Sequence, residues 1–155
     1  MGDVKKARGG KPSPKARRTT ARLQAVQAVY QSLQNKVSPL SLYQEYVDHR
    51  RGMDMDGEQM IECDAELFRL ILSGVTERWG DLEQIIKPRV EKLGSLANLL
   101  AAILICGTYE LLAHGDIDKP IIINDYINIT SDFYAGNEPK LINGVLDDIA
   151  KEVRF

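Results

Sequence analysis

The chain has 155 residues, 44% of them hydrophobic and 27% charged, enough for one domain with a packed core and too few for two enzymatic domains. That composition excludes a wholly disordered or fibrous protein. The net charge of −2 conceals a segregation: eight lysines and arginines in the first 22 residues face Asp3 alone, a local charge of +7, which leaves −9 for the remainder. Charge alone leaves two readings of this basic arm open, a contact for an anionic partner such as a phosphate backbone or a solubilising tail.

Residues 1–16 contain Gly-Gly, two prolines and many lysines, with little apolar surface to bury, and are expected to form a disordered basic arm. From Arg17 the pattern changes. Leu23, Val26, Val29, Tyr30 and Leu33 recur at helical spacing, and Arg17, Arg18 and Arg22 give this first amphipathic helix a basic entrance. Ser38-Pro39 marks the start of a second helix carrying Leu42, Tyr43, Tyr46 and Val47 and ending near Gly52. The polar stretch from Gly52 to Met60 contains DMDG, but placing Gly57 at the turn of a calcium loop puts Gly52 and Cys63 where acidic ligands belong, which rejects calcium.

Asp64 can cap a third helix whose apolar face comprises Leu67, Phe68, Ile71, Leu72 and Val75, running to about Trp79. A short fourth helix, Leu82 to Lys87, is expected to stop at Pro88. Residues 96–113 approach the length of a membrane span, yet Asn98, Thr108, Tyr109 and Glu110 interrupt them without flanking belts; a core helix from Ser95 to His114-Gly115 is the better reading. Pro120 to Tyr134 is rich in β-branched residues, but no partner strand is visible, and Tyr126, Ile127 and Phe133 recur at helical spacing. Leu141, Ile142, Val145, Leu146, Ile149 and Val153 then continue helically through Gly144, where the ~1 kcal/mol cost of glycine predicts the close approach of another backbone.

The fold class is therefore all-α, about seven helices packed as bundles behind the basic arm. Cys63 and Cys106 are far apart and lack ligand spacing, so neither a disulfide framework nor a structural zinc is expected, and the arm has no apolar segment of a secretory signal. A cytoplasmic location is the default. His49 and His114 stand at helix ends without a carboxylate or serine motif, and no P-loop, G-x-G-x-x-G, G-x-S-x-G or HExxH occurs. No catalytic site, metal site or cofactor is expected.

Residues 122–149, IINDYINITSDFYAGNEPKLINGVLDDI, resemble the C-terminal signature of the NusB family, with the NGVLD run from Asn143 to Asp147 the most specific part. ARLQAVQAVYQ is similar to the basic first helix of that family, and Lys87-Pro88 and the YELL run from Tyr109 to Leu112 fall in matching order, so that the resemblance covers residues 17–153. It implies a NusB-like helical domain over 17–155, made of two three-helix bundles, acting in transcription antitermination. The implied partners are boxA RNA of ribosomal RNA leaders, the ribosomal protein NusE, and the elongating RNA polymerase with other Nus factors, with no reaction and no membrane. The RNA-binding residues it implies are Lys15, Arg17, Arg18 and Arg22 of the arm and first helix, with Lys140 and Leu141. Leu141 stands where the family usually has a Phe able to stack on a base. Tyr30 is open between the RNA and NusE surface and core packing, and Leu100 and Ile105, where many members carry charge, imply a more apolar NusE contact. Two other uses of the fold are a homodimeric interaction module and a domain acting in ribosomal RNA maturation, stand-alone or accessory to a cytosine methyltransferase; no methyl-donor motif occurs in the 155 residues.

Overall fold

The computed structural model describes residues 13–48, 63–91 and 96–154, and among these every regular element is helical. The elements are α1 (Pro14–Asn35); α2, a 3₁₀ turn (Pro39–Leu42) running on as helix over 43–48; α3 (Ala65–Glu77); α4 (Trp79–Val90); α5 (Asn98–Ala113); α6 (Lys119–Phe133); and α7 (Glu138–Val153). The expected end of the second helix near Gly52, the polar loop with its rejected calcium pattern, His49 and Ser95 lie outside the described residues.

Local chemistry sets the helix ends. Ser13 accepts from Ala16 N at 3.0 Å and Pro14 follows at the first helical position, so α1 begins three residues before Arg17. Pro14, Lys15 and Ala16, expected in a disordered arm, belong to its first turn with Ser13 as the cap; residues 1–12 of that arm lie outside the described residues. Lys36 ends α1 with φ 57°, the left-handed conformation that turns the chain out of a helix. Asp64 caps α3 as expected, accepting from Leu67 N at 3.0 Å.

Two expectations are corrected. Helix α4 does not stop before Pro88 but runs through it to Val90. The proline is exposed, while Arg89 donates from Nη1 to Ile85 O at 2.7 Å and bonds Asp148 and Glu152 of α7 at 2.7 and 3.1 Å, holding the last turn in place. At Gly144, apart from the backbone of its own helix and its chain neighbours, no atom of the described residues lies within 4 Å of where a Cβ would stand. The close approaches fall instead at Gly74, where an added Cβ would lie 2.1 Å from Tyr109 Cζ, and at Gly107, where it would meet Leu146 at 3.1 Å.

Helices α1, α2 and α3 form one three-helix bundle and α5, α6 and α7 a second; α4 lies against α5. The seam between bundles is the long contact of α1 with α5. Every residue of α5 from Ala102 to Leu111 is buried, which is why its sequence is apolar all round. Aliphatic side chains such as Ile71, Leu72, Ile103, Leu104 and Ile122 are fully enclosed, each worth ~1.5–3 kcal/mol relative to exposure. Among the described residues no helix is long and apolar enough to cross a membrane, and no group of three His, Cys, Asp or Glu is placed to hold a metal ion. Both cysteines are buried, and burial holds the Cys106 thiol well above its ordinary value.

Candidate nucleic-acid interface

The N-terminal turns of α1 present Lys15 exposed and Arg17 and Arg18 half-exposed. None of the three forms an ion pair among the described residues, whereas Arg22, Arg69, Arg89 and Lys151 all do. This entrance is anchored twice. Asp64 N donates to Arg17 O at 2.9 Å, tying the first bundle to it, and the Thr19 hydroxyl donates to Asp125 Oδ1 of α6 at 2.9 Å, tying the second. Arg17 Nε is buried without a hydrogen-bond partner among the described residues, which leaves unused donor capacity at the entrance.

Arg22 is not part of that surface. It is 1% exposed, and its guanidinium donates from Nε and Nη2 to the two carboxylate oxygens of Glu110 at 2.7 and 3.0 Å and from Nη1 to Asp125 Oδ2 at 2.7 Å. The expectation that Arg22 meets RNA phosphates is corrected. Its number places it four and seven residues before Val26 and Val29, on the buried stripe of α1, so helical phase turns it inward. Glu110, wholly buried, also accepts from the Tyr126 hydroxyl at 2.6 Å and lies 3.0 Å from His114 Nδ1. Burial by itself would raise its carboxyl, but hydrogen bonds from His114 and Arg22 and the Arg22 charge hold it below its ordinary value. Against a burial that opposes its charge, Arg22 is held above its ordinary value by the same carboxylate. The sequence reading missed this network, although an arginine in an apolar stripe and a glutamate inside an apolar run were both legible.

The other expected residues divide between two places. Tyr30 is 37% exposed, 12 residues or ~18 Å along α1 from Arg18. Lys140 is exposed on the first turns of α7, while Leu141 is half-buried against the core. Leu100 and Ile105, expected as partner contacts, are only 7% and 6% exposed: on α5 such side chains fold into the helix seams rather than project. Ile105 still lines an apolar groove of about 220 Å³ with Leu33, Trp79, Ile86 and Leu96. A second groove of about 370 Å³ shares Leu33 and Trp79 and continues past Val37 and Pro39.

Comparison with known proteins agrees in sequence and shape. The profile of the NusB family matches residues 19–151. The transcription antitermination protein NusB of Sinorhizobium medicae (strain WSM419) is 39% identical over 140 residues, 88% of each chain. Its counterpart from Agrobacterium fabrum (strain C58 / ATCC 33970) is 36% identical, covering 99% of this chain and 97% of that one. Among solved structures, T. maritima NusB superposes with a TM-score of 0.73 at 25% identity, over 92% of this chain and 94% of that one.

Proposed function

The chain belongs to the NusB family, whose curated members are transcription antitermination proteins, and from that premise we propose that it is a non-catalytic RNA-binding adaptor of antitermination. In this reading it binds boxA RNA of ribosomal RNA leaders together with NusE and joins the elongating RNA polymerase with other Nus factors. The observation that supports it is the set of unpaired cations Lys15, Arg17 and Arg18 on a doubly anchored helix end, with Lys140 exposed on α7. Cations that pair with no carboxylate among the described residues are free to replace counterions on a phosphate backbone, the sequence-independent part of RNA affinity. The groove through Leu33, Trp79 and Ile105 is the proposed NusE surface, in place of a contact by Leu100 itself. Two weak contacts on one RNA–protein assembly reinforce each other through effective concentration.

The test is a gel-shift titration of boxA RNA against the full chain at several salt concentrations, with and without NusE, repeated on a variant lacking residues 1–12. Binding that weakens with salt and tightens with NusE is the expected result. No RNA binding in either condition would overturn the reading, and unchanged binding on truncation would assign the contact to α1 itself.

A further inference from the structure

Arg154 is the first residue past α7, and it is half-buried at the end of α5. Its Nε donates to Leu111 O at 2.8 Å, Nη1 to Ile117 O at 2.5 Å, and Nη2 to His114 O at 2.6 Å and Glu110 O at 3.4 Å. A guanidinium has five N–H groups, and these four bonds commit nearly all of them to backbone carbonyls around one turn. Among the described residues Arg154 forms no ion pair with a carboxylate. Its charge is answered instead by the negative end of the α5 dipole, where the last carbonyls of a helix have no helical donors.

The turn that it grips has no side-chain fastening from its own sequence. Helix α5 carries no basic residue in its last turn, and Asp118, the cap of α6, makes no side-chain hydrogen bond to that helix. Inside the turn Ile117 N donates to His114 O at 3.0 Å, and Asp118 O accepts from Ile121 N and Ile122 N at 3.0 and 3.3 Å. The angle at which the chain leaves α5 is therefore fixed from a distance, by a residue 37 positions beyond Ile117. That angle aims α6, which delivers Asp125 to Thr19 and Arg22 and Tyr126 to Glu110. Glu110 is held at its carboxylate by Arg22 and at its carbonyl by Arg154.

We infer that the carbonyls of Glu110, Leu111, His114 and Ile117 form a guanidinium socket in which Arg154 is seated as a latch. With the latch withdrawn, the α5–α6 turn opens locally while the apolar seams of the bundles stay closed. The ligand class follows from shape. A planar cation whose donors point outward in a fork reaches carbonyls set around its rim, whereas an ammonium directs three donors from a single nitrogen. A free guanidinium ion meets the same carbonyls when the side chain is cut away. The inference is independent of what the protein binds.

The test is native-state hydrogen exchange on the full chain and on Arg154→Ala, read amide by amide by NMR. The bonded amides of His114, Ile117, Ile121 and Ile122 are expected to exchange about 10- to 100-fold faster in the variant, with the amides of α3 unchanged. Guanidinium chloride at about 50 mM, far below the molar range in which it denatures, should restore much of that protection, and the same concentration of sodium chloride should not. Arg154→Lys, which keeps the charge, should behave as Arg154→Ala does, and it carries the same measurements where the alanine variant fails to fold. Unchanged exchange at the turn would overturn the latch. Acceleration spread equally over α3 and the turn, or loss of folding in both variants, would make Arg154 a global stabiliser and overturn it as well. Full protection in Arg154→Lys, equal rescue by sodium and guanidinium, or no rescue by guanidinium would overturn the socket.

Discussion

Arg22 and Glu110, 88 residues apart in the chain, meet inside the protein with two parallel hydrogen bonds of 2.7 and 3.0 Å, Arg22 on the helix that opens the first bundle and Glu110 on the helix that opens the second. A paired geometry of this kind compensates two buried charges only while both remain.

Removing one partner is therefore expected to be costly. Arg22→Met leaves the Glu110 carboxylate buried with only Tyr126 and His114, and should lower the unfolding free energy by ~3–5 kcal/mol. Combining it with Glu110→Leu should restore a substantial part. Urea denaturation of the two single variants and the double gives the coupling directly; additive losses would mean that the pair is energetically uncoupled.

Acid should act through the same carboxylate. Glu110 is held below its ordinary value of 4.5, so in the acid range the unfolded chain binds the proton more readily than the folded one. Its contribution is complete above 4.5 and is lost as pH falls through the depressed folded value. Urea midpoints should drop between pH 6 and pH 3, and Glu110→Gln should flatten that drop; parallel curves for the two proteins would refute the assignment.

The salt dependence of RNA binding separates surface cations from the buried one. Each phosphate contact on a single strand contributes about −0.7 to the slope of log affinity against log salt. Lys15→Ala with Arg18→Ala is expected to reduce the slope by about 1.4, whereas Arg22→Met, compared under conditions where it is folded, should leave the slope unchanged. A slope that falls only in the Arg22 variant would reverse the assignment.

Two glycines should respond in opposite directions. A methyl at Gly74 collides with the Tyr109 ring, and Gly74→Ala should destabilise by roughly 1–3 kcal/mol or more. Gly144 is exposed in a helix interior with open space around it, so Gly144→Ala should stabilise by up to ~1 kcal/mol. Thermal melts of both variants check the pair, and loss of stability at 144 would show that its backbone conformation is constrained after all.

What could be read in advance follows from which forces are local. The stripe Leu67, Phe68, Ile71, Leu72 and Val75 and the cap at Asp64 are written in neighbouring residues, and α3 forms as they dictate. Pro88 misled because its local rule is overridden by Arg89 reaching α7, a contact no window of sequence contains. Arg22 misled in the opposite way: its proximity to Arg17 and Arg18 made it look like part of one patch, while its phase with Val26 and Val29 turned it inward. The meeting of Thr19 with Asp125 depends on how α1 and α6 lie together, and that is a property of the fold rather than of either segment.

The Arg22–Glu110 contact also sets what kind of cooperativity this domain can support. Sliding or hinging one bundle against the other would strip Arg22 of both its carboxylate partners and leave the Glu110 charge buried without its cation, so the two bundles are expected to move as one body. In the proposed function, a signal between RNA on the α1 entrance and a protein in the Leu33–Trp79 groove then has no bundle rearrangement to travel through. Mutual reinforcement of the two ligands would have to come from their contacts with each other and from being tethered to one rigid platform, and it would persist when the seam is strengthened.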